Sequence, residues 1–199
     1  MWQKISAAGK KLVESGLVEA NFGNISVRSS SGNSFIITKT GTALDEIGPN
    51  SVIEVPIFND EAEAAMAAAV EKAASSETPV HRKIYRETNA KAVLHAHCQY
   101  SVVMSLLEFE TGNSAIIPID SEGKLFLKKI PIICGGIGSA ELAKNAAEAF
   151  KDGETKGAII LGHGTIAIGD TLEEAYNITA QLEHASKIKY MYALAKNSY

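Results

Sequence analysis

Two rhythms of apolar positions run through the chain, one helical and one alternating. Over residues 3–15, Ile5, Ala8, Leu12 and Val13 recur at helical spacing and Gly16 follows as a stop, which predicts a helix. Ile25 and Val27 then alternate with polar residues, the turn-forming SSSGN follows, and SFIIT resumes the strand rhythm, which predicts a β-hairpin. VIEVPI (52–57) predicts one more strand. Residues 60–74, rich in Ala and Glu, predict a helix by propensity, although Met66 and Val70 are its few large apolar side chains. Residues 75–88 predict a helix with Thr78 as N-cap and Pro79 at the first helical position. KAVLHAHC predicts a strand and QYSVVMSLLEF a helix after it. AIIPI and KLFLKKIPII predict further strands, and SAELAKNAAEAFKDG a helix capped by Ser139 and stopped near Gly153. GAIILGHGTIAIGD predicts two strands hinged at 162–164. Thr171 and Glu174 form a capping-box pair that opens a last helix, with Leu172, Ala175, Ile178, Leu182, Ala185 and Ile188 as its buried stripe. The order predicts an α/β fold: one domain over 1–199, with a mainly antiparallel central sheet and helices on both faces.

Composition narrows the class. The 199 residues are 46% hydrophobic, enough for a core without disulfide staples. Net charge is −4 and the lysines and arginines are scattered, so no basic stripe marks a nucleic-acid binder. Cys98 and Cys134 show no C-x-x-C spacing and suit a reducing compartment. No apolar run approaches the roughly 18 residues of a membrane span, and the amphipathic N-terminus lacks a signal-peptide block. These features point to a cytoplasmic globular protein.

The candidate chemistry centres on histidine. His95 and His97 lie two apart in the strand AVLHAHC, and side chains at i and i+2 share a face, so two imidazoles project together. Two histidines at a strand end give the same pattern without any ligand. His163, between Gly162 and Gly164, supplies a third imidazole if the fold joins them. Three histidines with an open position are the donor set of a catalytic rather than a structural zinc. Ser75 and Ser76 precede a helix start, where unpaired N–H groups favour phosphate, and Glu77 beside a dication is a candidate general base; simple capping explains the same residues. The loops holding Gly23 and Asn24, and Thr40 and Gly41, are candidate anion cradles, although each alone reads as a turn. Cys98 points away from His97 and reads as core. His81 and His184 read as packing or surface residues within helices.

Taken in order, GNISVR (23–28), TKTG (38–41), SSETPVHRKIY (75–85), AVLHAHC (92–98), GHGTIAIG (162–169) and LEEAYNITAQLEHASKI (172–188) resemble the class II aldolase/adducin family, and within it the fuculose-phosphate aldolases. The likeness spans nearly the whole chain. It implies a layered α/β/α fold in a homotetramer with sites at subunit interfaces. It implies zinc or another divalent metal on His95, His97 and His163. Substrate phosphate would lie on Asn24, Thr40, Gly41, Ser75 and Ser76, and Glu77 would be the catalytic acid/base. The implied reaction is reversible cleavage of a phosphorylated sugar, a ketose 1-phosphate such as fuculose 1-phosphate. The products would be dihydroxyacetone phosphate and a small aldehyde such as lactaldehyde, through a zinc-stabilised enediolate. The chain departs from the family pattern in two places. Lys39 stands where the phosphate loop usually has proline. IPIDSEGKLF lacks the tyrosine proton donor of the fuculose enzymes, with Asp120, Ser121 and Glu122 near its place.

Two other enzymatic readings share this likeness, a sugar-phosphate 4-epimerase and a methylthioribulose-1-phosphate dehydratase. Epimerases of the family tend to carry Asp where Glu77 stands, which favours the aldolase. A non-catalytic, adducin-like scaffold would lack metal ligands, and all three histidines are in place.

Overall fold

The computed structural model describes residues 1–57 and 72–196. The helix expected over 60–74 therefore lies largely outside the described residues; of its length only 72–74 are described, as a turn running into a bridge. Eight strands form one sheet: β1 (Gly23–Arg28), β2 (Ser34–Thr38), β3 (Val52–Pro56), β4 (Ala92–Ala96), β5 (Ala115–Ile116), β6 (Ile130–Ile133), β7 (Gly157–Ile160) and β8 (Gly164–Gly169). Their order is β3-β2-β1-β4-β8-β7-β6-β5. Every neighbouring pair is antiparallel except β6 and β7, which are parallel because the chain returns through a helix between them. The described helices are α1 (Trp2–Glu14), α2 (Thr78–Glu87), α3 (Gln99–Glu110), α4 (Ala140–Ala149) and α5 (Leu172–Lys196).

Strand alternation sorts the side chains into layers. Phe35, Ile37, Val93, Ile166 and Ile168 pack with Val80 and Ile84 of α2 and with Leu142 and Ala146 of α4. Ile25, Leu94 and Ala96 pack on the other face with Ile5 and Leu12 of α1 and Ala175 of α5. Ile132 and Ile159 meet Met104 of α3 and Leu182 of α5. The helix–sheet–helix layering expected from the sequence is the one observed. His95 shares the parity of Val93, with Asn24 of β1 and Ile166 of β8 as its register partners, so it faces α2.

Several local expectations are corrected. β4 ends at Ala96, so His97 lies just past the strand rather than in it, held by its N–H to the Phe22 carbonyl at 3.2 Å. Thr78 is the first helical residue and not the N-cap. The Glu77 carbonyl already accepts from Val80 and His81, and the Thr78 hydroxyl donates to the Ser75 carbonyl at 2.6 Å. AIIPI is strand only at Ala115–Ile116, since Pro118 has no N–H for a ladder. Residues Gly123–Leu127 form a single π-helical turn started by Asp120, whose Oδ2 accepts from the Gly123 N–H at 2.7 Å; only Ile130–Ile133 is strand. In α5 the buried stripe includes Thr179 and Ser186 beside the expected alanines and Leu182, while Leu172, Ile178 and Ile188 are only partly buried.

Candidate active site

His95, His97 and His163 meet at the end of β4 and in the turn before β8. One donor atom from each lies within 4.8 Å of the others, and their ring centroids are 4.5–4.8 Å apart. The close approach depends on Gly164, where a Cβ would sit 2.5 Å from the Ala96 carbonyl oxygen and 3.0 Å from the His97 Cα. A side chain there would push His163 away from its partners. The orientation of His95 is fixed by its Nδ1, 2.9 Å from the Thr165 carbonyl. Only an N–H can make that bond, so Nε2 is the bare nitrogen, and it is buried with no hydrogen-bond partner among the described residues. Phe22 stacks on His97 with centroids 5.6 Å apart.

Burial keeps these rings neutral. It lowers His163. Burial and then His163 push His97 down to about 4, and burial, then His163 and His97, hold His95 well below the ordinary histidine value. A neutral imidazole with a free nitrogen is a metal ligand. An orphaned buried Nε2 and two further converging imidazoles fit a borderline divalent cation with an open coordination position.

Glu77 stands at the start of α2, facing the histidines. It is 2% exposed, and its Oε1 accepts the Gly138 N–H at 3.1 Å while Oε2 is buried without a partner. Burial raises its carboxyl, and the Gly138 hydrogen bond offsets part of that rise. Gly138 must be glycine here: its φ is +64°, and a Cβ would lie 2.2 Å from the Ser76 carbonyl oxygen. Helix α2 is pinned to β1 by Ser26, whose Oγ is 2.7 Å from His81 Nδ1 and 2.8 Å from the Tyr85 hydroxyl. His81 is fully buried and pushed down to about 3 by that burial, so it is a neutral packing residue.

All nine residues singled out in the sequence (Asn24, Thr40, Gly41, Ser75, Ser76, Glu77, His95, His97 and His163) line one cleft of about 210 Å³. Its two loops are stitched by backbone. Lys39 bridges Ala74, the Thr40 N–H donates to the Ala73 carbonyl and the Ser75 N–H to the Thr38 carbonyl, while the Thr40 hydroxyl donates to Ala74 at 2.7 Å. Asn21, Lys39 and Ile137 also line the cleft. Gly138, which holds Glu77, was not foreseen; the glycine run GGIG before Ser139 was its only signal. Asp120, Ser121 and Glu122 are not among the cleft's lining residues, and Asp120 is engaged in starting the π-helical turn. Cys98 is buried as expected and pushed up to about 12 by burial, an inert thiol.

The family model described as class II aldolase and adducin N-terminal domain matches residues 3–190. The chain belongs to that family. This class II aldolase is 30% identical over 190 residues to an L-fuculose phosphate aldolase of Methanocaldococcus jannaschii, covering 94% of each chain. Its structure is similar to that of an l-fuculose-1-phosphate aldolase from Thermus thermophilus, with a TM-score of 0.84, 30% identity, and coverage of 100% of this chain and 96% of the other. A 3-oxo-tetronate 4-phosphate decarboxylase of Escherichia coli is 24% identical over 95% of this chain and 85% of its own. The class II aldolase is thus an enzyme of the aldolase/lyase class, in a metal-dependent family, with a histidine triad able to hold the metal. No described helix is long and apolar enough to cross a membrane.

Proposed function

We propose that this single-domain enzyme reversibly cleaves a ketose 1-phosphate to dihydroxyacetone phosphate and a small aldehyde, fuculose 1-phosphate and lactaldehyde being the model pair. The observation that carries the reading is the buried, half-partnered carboxylate of Glu77 facing three neutral imidazoles across one cleft. His95, His97 and His163 hold one divalent cation, zinc by the preference of an all-nitrogen set. The cation supplies Lewis-acid stabilisation of the negative charge that C–C cleavage leaves on the substrate oxygens.

The remaining roles belong to side chains. Asn24, Thr40, Gly41, Ser75 and Ser76 seat the phosphate, combining loop donors with the positive end of α2. Glu77 Oε2, free while Oε1 is held by Gly138, gives a proton to the carbon left behind after cleavage and takes it back in synthesis. Burial raises its carboxyl, and a cation held on the histidines would oppose that rise. Sites completed at subunit interfaces of a homotetramer fit Phe22 and Ile137, both well exposed beside the cleft in the single chain. Two unpaired cysteines agree with a cytoplasmic setting.

The test is incubation of the zinc-loaded protein with dihydroxyacetone phosphate and a panel of short aldehydes, with product identification. Formation of a ketose 1-phosphate is the expected result and its stereochemistry names the substrate. Carbon dioxide release from a 3-oxo acid phosphate, or epimerisation without cleavage, would contradict the aldolase reading.

A further inference from the structure

The proposed phosphate cradle has an unusual charge inventory. A phosphate monoester carries about −1.5 to −2 near neutral pH. Asn24, Thr40, Gly41, Ser75 and Ser76, the side chains and backbone that would seat it, carry no charge, and any cation on the three histidines would be engaged by the substrate's carbonyl and hydroxyl oxygens. Among the described residues lining the cleft, Lys39 is the one lysine or arginine. Its backbone is fixed on both sides: the N–H donates to the Ser51 carbonyl at 2.9 Å, and the residue bridges Ala74 immediately before Ser75. That pairing seats Lys39 between the two hydroxyl-bearing loops, beside Thr40. The side chain is partly exposed, and no ion pair joins it to a carboxylate among the described residues.

Resting on the reading of this cleft as the phosphate seat, we propose that Lys39 is the cationic member of the cradle and selects a doubly charged phosphate group over uncharged or singly charged ones. The neutral donors and the positive end of α2 fix where the phosphate sits, and the ammonium, a compact charge on a flexible stem, adds a side-chain charge to that attraction. Because the side chain is partly exposed, the attraction is screened by salt.

Direct titration tests this without relying on turnover. Calorimetry with inorganic phosphate and with dihydroxyacetone phosphate is run on the zinc-loaded protein, on Lys39→Met and on Lys39→Arg. The expected result is binding weakened roughly 10-fold for both ligands in Lys39→Met, as for loss of a charge-assisted hydrogen bond. Lys39→Arg restores most of it, zinc content is equal in all three, and the wild-type advantage shrinks as salt rises. In cleavage assays KM rises in parallel and kcat holds. Unchanged phosphate affinity in Lys39→Met, or no phosphate binding by the wild-type protein, overturns the inference. If phosphate binding behaves as expected and no ketose 1-phosphate is cleaved, Lys39 stands and the aldolase reading fails.

Discussion

At the residue scale the decisive group is Glu77. Its carboxyl is raised by burial in the metal-free protein, and Glu77→Gln, which cannot take up a proton, should abolish proton abstraction at every pH while leaving metal binding intact. The same shift bears on stability. A carboxyl whose folded pKa is raised is favoured in its protonated form, so its contribution is intact below the unfolded value and lost as pH rises through the folded one. Glu77→Gln, which keeps an acceptor for Gly138, should therefore leave the metal-free protein as stable as wild type or more so at neutral pH. Thermal melts at pH 4 and pH 7.5 check the sign, and a large loss at neutral pH would contradict it. The histidine pair was legible in the sequence because i and i+2 positions share a direction, and the flanking glycines marked His163. The grip of Gly138 on Glu77 was marked only by the glycine run GGIG, because that run does not say which carboxylate, 61 positions away, its backbone N–H meets.

At the element scale, the helix after His97 is held by a carboxylate from elsewhere in the chain. Glu183 of α5 accepts the N–H groups of Tyr100 and Ser101 at 2.9 and 2.8 Å, and the Ser101 hydroxyl at 2.8 Å, at the start of α3. A negative group there satisfies orphan donors and the helix dipole together. Glu183→Ala should cost about 1–3 kcal/mol of stability, read from urea midpoints. It should also weaken zinc binding, since His97 precedes α3 by two residues, whereas Glu183→Gln should recover part of both losses. Most elements were legible from periodicity because their apolar faces pack on the sheet. Two failures have physical causes. The stretch around Pro118 and Gly123 is apolar yet loses ladder donors and is bent into a π-helical turn by Asp120. At the start of α2 the Thr78 hydroxyl is engaged by Ser75, so the helix begins at its apparent cap rather than after it.

At the scale of the whole molecule, the layering followed from the order of helices and strands, but the neighbours of β4 did not. Which strands flank His95 depends on long-range pairing, and that pairing sets Asn24 beside it and turns it toward α2. Metal and acid stability are coupled here. The three imidazoles are neutral when folded and titrate normally when unfolded, so the unfolded chain binds more protons between pH 6.5 and about 4. Metal-free protein should lose stability as pH falls through that window, and zinc loading should raise the urea midpoint within it. An unchanged midpoint across the window would contradict the neutral triad. The proposed tetramer predicts a solution mass of four times the 21.1 kDa chain, and dissociation should lower turnover without releasing metal. The most direct test of the central claim is hydrogen exchange on dihydroxyacetone phosphate in deuterated water with no aldehyde present, followed by proton NMR alongside metal analysis. The account predicts about one zinc per chain in both wild type and Glu77→Gln, as three imidazoles with an open position imply, with one carbon-bound proton exchanged by the wild type and none by the variant. No exchange by the zinc-loaded wild type, or equal exchange by Glu77→Gln, would contradict it.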